Sequence, residues 1–514
     1  MNKNNFLNKL KIHPELLLGF SVITIFTIFY ILLVLNRYWQ YEYFYIDNVF
    51  FDSALWQLSQ FQIPIVFHQW WGEMNIFSDH WHPILMLFSL FYRIWDAQET
   101  LLILSVMIYA LGAVFGYLIG RHFRLHFTIN ITLVISYFLY LGTQNAFIFG
   151  FHEIVFMGVF LLGIVWAFLK KMKKTYFVFL LLLLFTKETM AIYFLLMSPL
   201  LASLDKTRWR WVMIAVGITI IYYLISIKIV IPFISGGGYR YSYNDWPNDI
   251  FDWWNQLTNP SSKVQTFWIS IFSWGGLSLF SIFSYPLIFG EFVMRFLGSI
   301  AGNVQDSLYY HYGFSTAPII YLSSLVGAKN LLDFLSGKAE KSVNIQKIFD
   351  CKVYQLAISL LILVTLVLFH RNALPQRGPL ELVFKRAFYQ TTKDNQFLDE
   401  LVSNVPNTSG SIMAMNHLTY HLTHKGKMIY LNAIDNPKRA NKFINLKPSP
   451  DFIVYDLRKT QNANNFFPDD YESVVDFSHY LLNSGIYQVY WEKGEMMILK
   501  KVKEFVPRKN IIGN

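Results

Sequence analysis

Residues 47–83 read DNVFFDSALWQLSQFQIPIVFHQWWGEMNIFSDHWHP, from Asp47 to Pro83. The stretch lies between the first two long apolar runs of the chain. It gathers Asp47, Asp52, Glu73, Asp79, His68, His80 and His82 among Trp56, Trp70, Trp71 and Trp81. An interfacial aromatic belt with solvated charges accounts for the indoles. A site accounts for the carboxylates and imidazoles as well, because ionisable groups close to a bilayer are functional candidates by default. Within the stretch, Phe50–Phe61 has helical spacing. Phe51, Leu55 and Leu58 share one face, and Asp52, Trp56 and Ser59 share another. That pattern suits a helix lying in the membrane surface.

The flanking runs set the class. The chain has 514 residues, 54% hydrophobic and only 15% charged, the composition of a polytopic membrane protein. Its net charge of +10 does not point to nucleic acid, because much of the Lys and Arg falls in short clusters between apolar runs. The single cysteine, Cys351, excludes an intramolecular disulfide framework and a multi-cysteine zinc site. The run Leu16–Leu35 is long enough to span, and no small-residue cleavage site follows it.

Lys3, Lys9 and Lys11 put the start of the chain in the cytoplasm, so the loop 36–100 is predicted outside. Further runs alternate with Arg121 and Arg124, with Lys170, Lys171, Lys173 and Lys174, with Asp205–Arg210, and with the basic stretch Lys338–Lys352. Phe267–Leu297 reads as a tight helical hairpin. The sum is a mainly α, polytopic membrane helix bundle of about eleven spans, N-in and C-out. After residue 370 the long apolar runs stop and Pro, Asn, Asp and Lys rise. Residues 1–370 are therefore expected to form the transmembrane part, and 371–514 a small soluble extracytoplasmic α/β domain. In that tail, Gln396–Asn404 and Tyr471–Asn483 read as helices. Ser411–Met415, Met428–Leu431, Phe452–Leu457, Tyr487–Trp491 and Met496–Leu499 read as strands.

Asp52 is the sharpest candidate for catalysis, since a transferase that activates an acceptor hydroxyl needs a carboxylate base at the reacting centre. Asp47, five residues earlier, points elsewhere on a continuous helix and reads as a supporting group. His152 and Glu153, and Lys187 and Glu188, stand at span ends on the same predicted side; the plainer reading is snorkelling. Facing the same side as Asp52, they would line with it a pocket holding both an anion and a base, with Lys187 a point charge for phosphate and Asp79 and His80 further binding groups. His311 and Tyr312 join them from another outer segment, as do Arg240 and Arg295. Two histidines one residue apart share a metal only from a strand or loop and need more ligands. Contact of imidazole with phosphate or hydroxyl is preferred. No cofactor is predicted, and a divalent metal is left open. His417, His421 and His424 read as capping or surface groups. P-loop, strand-anchored Gly-x-Gly-x-x-Gly, His-Glu-x-x-His and nucleophile-elbow patterns are absent, so an ATP-driven pump or a cytosolic nucleotide-sugar enzyme is unsupported.

An ordered set of pieces carries a resemblance. They are Asp47-Asn48 with Phe51–Trp56, then His80–Pro83, Phe151–Glu153, Thr186–Glu188, Tyr310–Tyr312 with Pro318, His421–His424 and Asp451–Arg458. In these the chain resembles bacterial multi-pass membrane proteins grouped as domain of unknown function 2079. That family is itself similar to the GT-C superfamily of polyprenyl-phosphate-sugar glycosyltransferases. The resemblance implies transfer of a sugar from a polyprenyl-phosphate carrier to an envelope acceptor, on the outer face of a bacterial inner membrane. It also implies a catalytic Asp or Glu in the first outer loop, where Asp52 stands. A transporter or flippase for lipid-linked or anionic solutes is the competing class, and a non-catalytic envelope assembly protein the third. Mid-membrane charges in broken helices would favour the transporter; charges at outer span ends favour the enzyme.

Overall fold

The computed structural model describes residues 14–45, 47–68, 72–239, 247–297, 306–339, 352–373, 378–431, 449–467 and 469–503. Lys3, Lys9, Lys11, Trp70, Trp71, Arg240 and most of Lys338–Lys352 lie outside them.

The first run forms α1 (Pro14–Trp39), with Pro at the helix start, where its missing N–H costs nothing. The decisive stretch opens with α2 (Asn48–Ser59), whose apolar face is buried as its spacing predicts. A short antiparallel hairpin follows, β1 (Ile65–His68) and β2 (Gly72–Asn75), with His68 opposite Gly72. The run after Pro83 makes only single turns and exposes Met86, Leu90, Phe91 and Ile94, as a segment lying in the interface does.

The bundle is built from α3 (Glu99–His122), α4 (Phe127–Leu139), α5 (Leu141–Phe149), α6 (Val155–Leu169), α7 (Lys173–Thr186), α8 (Met190–Leu204) and α9 (Trp209–Ile225). Farther along come α10 (Ile250–Thr258), α11 (Ser262–Phe272), α12 (Tyr285–Leu297), α13 (Gly313–Ala339) and α14 (Lys352–Ala373). Helices α3, α6 and α13 pack together at the centre, and 13 of the 15 residues of α6 are buried. Helix α9 instead turns Met213, Ile214, Ile221 and Ile225 outward, a surface suited to lipid tails.

The apolar runs predict about eleven spans. Among the described residues, four helices are long and apolar enough to cross a membrane: Pro14–Trp39, Glu99–His122, Phe127–Phe149 and Lys206–Ser235. Helix shortness accounts for much of the difference. Helix α6 has 15 residues, or about 22 Å at 1.5 Å per residue, against a hydrocarbon core of about 30 Å. Phe267–Leu297 is no tight hairpin of spans. Gly275 and Gly276 take left-handed backbone, with φ of 67° and 70°, two short turns follow, and the flanking helices have 11 and 13 residues. Helix α13 is long enough, but Ser323, Ser324 and Lys329 dilute its apolarity.

The C-terminal region carries a five-stranded sheet and helices α15 (Lys393–Ser403) and α16 (Tyr471–Asn483). Its strands are β3 (Ser411–Ala414), β4 (Lys427–Tyr430), β5 (Phe452–Asp456), β6 (Tyr487–Lys493) and β7 (Met496–Lys501), in the order β4-β3-β5-β7-β6. The first three are mutually parallel, and β7 and β6 add an antiparallel edge. A reciprocal capping box of Thr392 and Asn395 starts α15.

Candidate functional site

The start of α2 is stapled to the turn after α5. Asn48 is fully buried; its Nδ2 donates to the Phe149 carbonyl at 2.9 Å, and its Oδ1 accepts from the Phe151 amide at 2.7 Å. Gly150 permits this approach. Its φ is 125°, and a Cβ there would stand 2.0 Å from the Asn48 side chain. Asp47, at the helix N-cap with φ 58°, is thereby set beside His152 and Glu153. A non-glycine residue in that region is strained, and such residues gather at functional sites.

Around this joint the structure brings together most of the expected residues. His311 Nδ1 lies 3.2 Å from Asp47 Oδ2, and the His152 and His311 rings stack with centroids 3.6 Å apart. Glu153 stands between His152 Nδ1 at 3.0 Å and Lys187 Nζ at 3.1 Å. Glu188 is held by His80 Nδ1 at 2.7 Å, by the Trp81 amide at 2.9 Å and by the Tyr239 hydroxyl at 2.8 Å. Asp79 lies near enough to help keep the Lys187 ammonium charged. Tyr312 lies against His311, ring centroids 4.3 Å apart, with the Arg295 guanidinium 5.4 Å from its own ring.

Burial pushes the Glu153 carboxyl up, but His152 and Lys187 outweigh it and hold the group well below the usual range. Burial likewise opposes the ionisation of Asp47 and Glu188. His311 prevails for Asp47, and His80 with Lys187 brings Glu188 to about 2. Lys187 is pushed down by burial and up, by more, by Glu153 and Glu188. Burial takes His82 and His311 to about 4, so both are neutral near pH 7. Three ionised carboxylates thus face one ammonium, an excess of negative charge that suits a cation. Asp47, His152 and His311 offer one carboxylate oxygen and two imidazole nitrogens within 4.8 Å of one another, a group that could hold a divalent metal. One carboxylate with two imidazoles is a donor set of first-row divalent ions.

Two members are incompletely partnered. Neither buried His82 ring nitrogen makes a hydrogen bond, and the buried Glu153 oxygens have only the ion-pair contacts with His152 and Lys187. Buried polar atoms without partners are uncommon and call for a ligand or ordered water.

Asp52 is elsewhere. It is fully buried, accepts from the Tyr92 and Thr423 hydroxyls, and lies 3.2 Å from His424 Nε2. His424 Nδ1 in turn lies 2.9 Å from Asp96. His421 is no surface group: it is sandwiched between Tyr38 and Tyr41, ring centroids 4.2 and 3.9 Å away. His417 is buried against Asp456 at 3.5 Å. Sequence reasoning also left out Tyr239 and the place of His82 in the group. For Tyr239 the only signal is a tyrosine-rich stretch, Tyr239, Tyr241 and Tyr243.

The fold and this helix-end group define a multi-pass membrane protein with a buried acid–imidazole–lysine site. The chain belongs to the family described as "Predicted membrane protein (DUF2079)", whose model matches residues 38–493. No curated protein matches in sequence. Among solved structures, that of ArnT from Cupriavidus metallidurans bound to undecaprenyl phosphate is similar, with a TM-score of 0.50 and 11% identity over 93% of this chain and 97% of that one. The same protein in the apo state gives 0.45 and 10% over 89% and 93%. At such identity the likeness shows a shared fold.

Proposed function

We propose that the chain is a membrane glycosyltransferase that moves a sugar from a polyprenyl-phosphate carrier to an envelope acceptor on the outer face of the inner membrane. The observation that carries this reading is the buried, incompletely partnered group of His82 and Glu153 beside Lys187, at the end of the bundle where α2 begins. The family and the fold shared with an undecaprenyl-phosphate-bound protein support it. The basic clusters at the opposite helix ends support an inner-membrane orientation with the C-terminal region outside. In this reading more apolar helices than the four longest cross the bilayer, the shorter ones beside them.

The reaction is a displacement at the anomeric carbon. The acceptor hydroxyl forms the new C–O bond, the bond to the carrier phosphate breaks, and the hydroxyl proton passes to a carboxylate. Between the two aspartates of this segment, Asp47 is the base. Its side chain keeps 17% exposure, and Oδ2 faces His311, which leaves Oδ1 for the acceptor. Asp52 is occupied by Tyr92, Thr423 and His424. Lys187 contacts the leaving phosphate, and Glu153 and Glu188 hold its ammonium in place. Asp47, His152 and His311 would hold a divalent ion, which when bound supplies positive charge toward the phosphate.

The test follows release of undecaprenyl phosphate from a panel of its glycosylated forms by the reconstituted protein. Release from at least one donor is expected. Lys187→Met should weaken carrier binding about tenfold, and Lys187→Arg should retain part of it, since charge survives but geometry changes. No release from any donor, together with unchanged carrier binding in Lys187→Met, would overturn the proposal.

A further inference from the structure

Helices α3, α6 and α8 all run away from the acidic group, starting beside Gln98, Glu153 and Glu188 and ending at His122, Leu169 and Leu204. At these far ends, closed by Phe283 and by Val326 to Asn330, lies a cavity of about 430 Å³. That size lies within the range of small-ligand sites, about 300–1,000 Å³. Its lining includes the apolar side chains of Leu169, Leu200 and Phe283 and the cationic ones of Arg124 and Lys329.

Two of the three basic groups at and beside the mouth have acidic partners. Arg208 next to it is satisfied by Asp205 at 2.7 Å and by the Phe168 carbonyl. Lys329 pairs with an exposed Asp333 at 2.6 Å. Arg124 has no acidic partner among the described residues. Arg124 also occupies the left-handed position that ends α3, with φ 57° and the Leu125 amide donating back to the Gly120 carbonyl at 3.0 Å. Glycine is the ordinary residue there, so this helix end accepts strain to place a guanidinium at the cavity mouth.

We propose that this cavity is a binding site for an anionic phospholipid of the cytoplasmic leaflet. The phosphodiester sits against Arg124 and Lys329, and the glycerol and upper acyl carbons lie along Leu169, Leu200 and Phe283. Three features favour a lipid over a soluble anion. The cavity opens at the helix ends, at headgroup depth. Leu169, Leu200, Leu204 and Phe283 in the lining offer hydrocarbon to acyl chains. Basic clusters at such positions recognise anionic headgroups. The site is separate from the proposed transfer chemistry, at the opposite end of the bundle.

The test uses the full-length protein in nanodiscs of mixed phosphatidylglycerol and phosphatidylcholine, with retained lipid read by native mass spectrometry after gentle detergent exchange. Wild type should retain phosphatidylglycerol over phosphatidylcholine by about tenfold, roughly the scale of two cationic contacts at a lipid surface. Arg124→Gln with Lys329→Gln should abolish the preference. Ser203→Trp, which fills the cavity without removing charge, should do the same. Lys171→Gln, at the equivalent left-handed end of α6 but outside the cavity, should not. Monodisperse elution and an unchanged melting temperature exclude misfolding of the exposed-charge variants. A preference for phosphatidylglycerol that survives in the double variant overturns the proposal. So does equal loss in Lys171→Gln, or complete displacement by excess inorganic phosphate, which would mark a site for free anions.

Discussion

Asp47 and Asp52 lie five residues apart, at the start and within the first turns of one helix, and meet opposite surroundings. Asp47 keeps solvent access and faces imidazoles, whereas Asp52 is sealed under two hydroxyls and His424. Asp47→Asn preserves shape but cannot take a proton. Transfer should fall about a hundredfold or more at unchanged protein level, the usual scale for losing a general base. Asp52→Asn should act mainly on stability, lowering it by roughly 1.5–3 kcal/mol through weakened charged hydrogen bonds; thermal melts in nanodiscs distinguish the two effects. Transfer within a few-fold of wild type in Asp47→Asn would remove it as base. A pH effect also belongs at this scale. Burial, with His80 and Lys187 adding to it, takes His82 to about 4, and burial takes His421 to about 3. The unfolded value is near 6.5. Between about 6.5 and 4 the unfolded chain therefore binds more protons than the native one, so stability rises with pH and is lost on acidification through that window. The melting temperature should drop from pH 7 to pH 4, and less steeply in His82→Asn and in His421→Asn. Equal slopes in all three proteins would show that neither imidazole is held neutral.

Among the elements, the joint of α2 with the turn after α5 is the most exacting. Gly150→Ala adds a Cβ 2.0 Å from Asn48 at a φ of 125°. It should cost about 2 kcal/mol or more and part Asp47 from His152. A variant that melts like wild type would show that the joint yields freely. The sequence carries part of this architecture legibly. The period of Phe51, Leu55 and Leu58 marks α2, and in the C-terminal region the strand pattern marks the strands to within two or three residues of their ends. Such signals are local, because each depends on neighbours within a few positions. The broken passage between α11 and α12 was not legible, since a run of apolar residues does not say where two glycines turn left-handed. The site divides in the same way. His152, Glu153, Lys187 and Glu188 were visible as charges at span ends. The true surroundings of Asp52, His421 and His424 depend on partners more than 300 residues distant.

At the scale of the whole molecule, the C-terminal region does not hang free of the bundle. Tyr45 N donates to Asn416 Oδ1 at 2.9 Å, the Tyr41 hydroxyl to Asp399 at 2.8 Å, and Lys427 pairs with Glu73. Asn416 follows β3 at the carboxyl end of the parallel strands, where open α/β sheets usually bind ligands; here that edge meets the first loop. Tyr38→Ala with Tyr41→Ala removes both faces of the His421 sandwich. Amide hydrogen exchange at Tyr420–Thr423 should then rise at least about tenfold, while the centre of α6 stays protected. Unchanged exchange would mean the docking rests on the polar contacts alone.

Asp52 also ties the finished molecule to the order in which it is made. Its carboxylate is enclosed by a tyrosine forty positions downstream and by Thr423, which leaves the ribosome 371 residues later. Until that last portion has been synthesised and has docked, the helix that presents Asp47 carries a carboxyl group missing its Thr423 and His424 partners. A chain cut short before Thr423 would keep every long apolar helix and still be unfinished beside α2, a state that quality-control proteases can recognise.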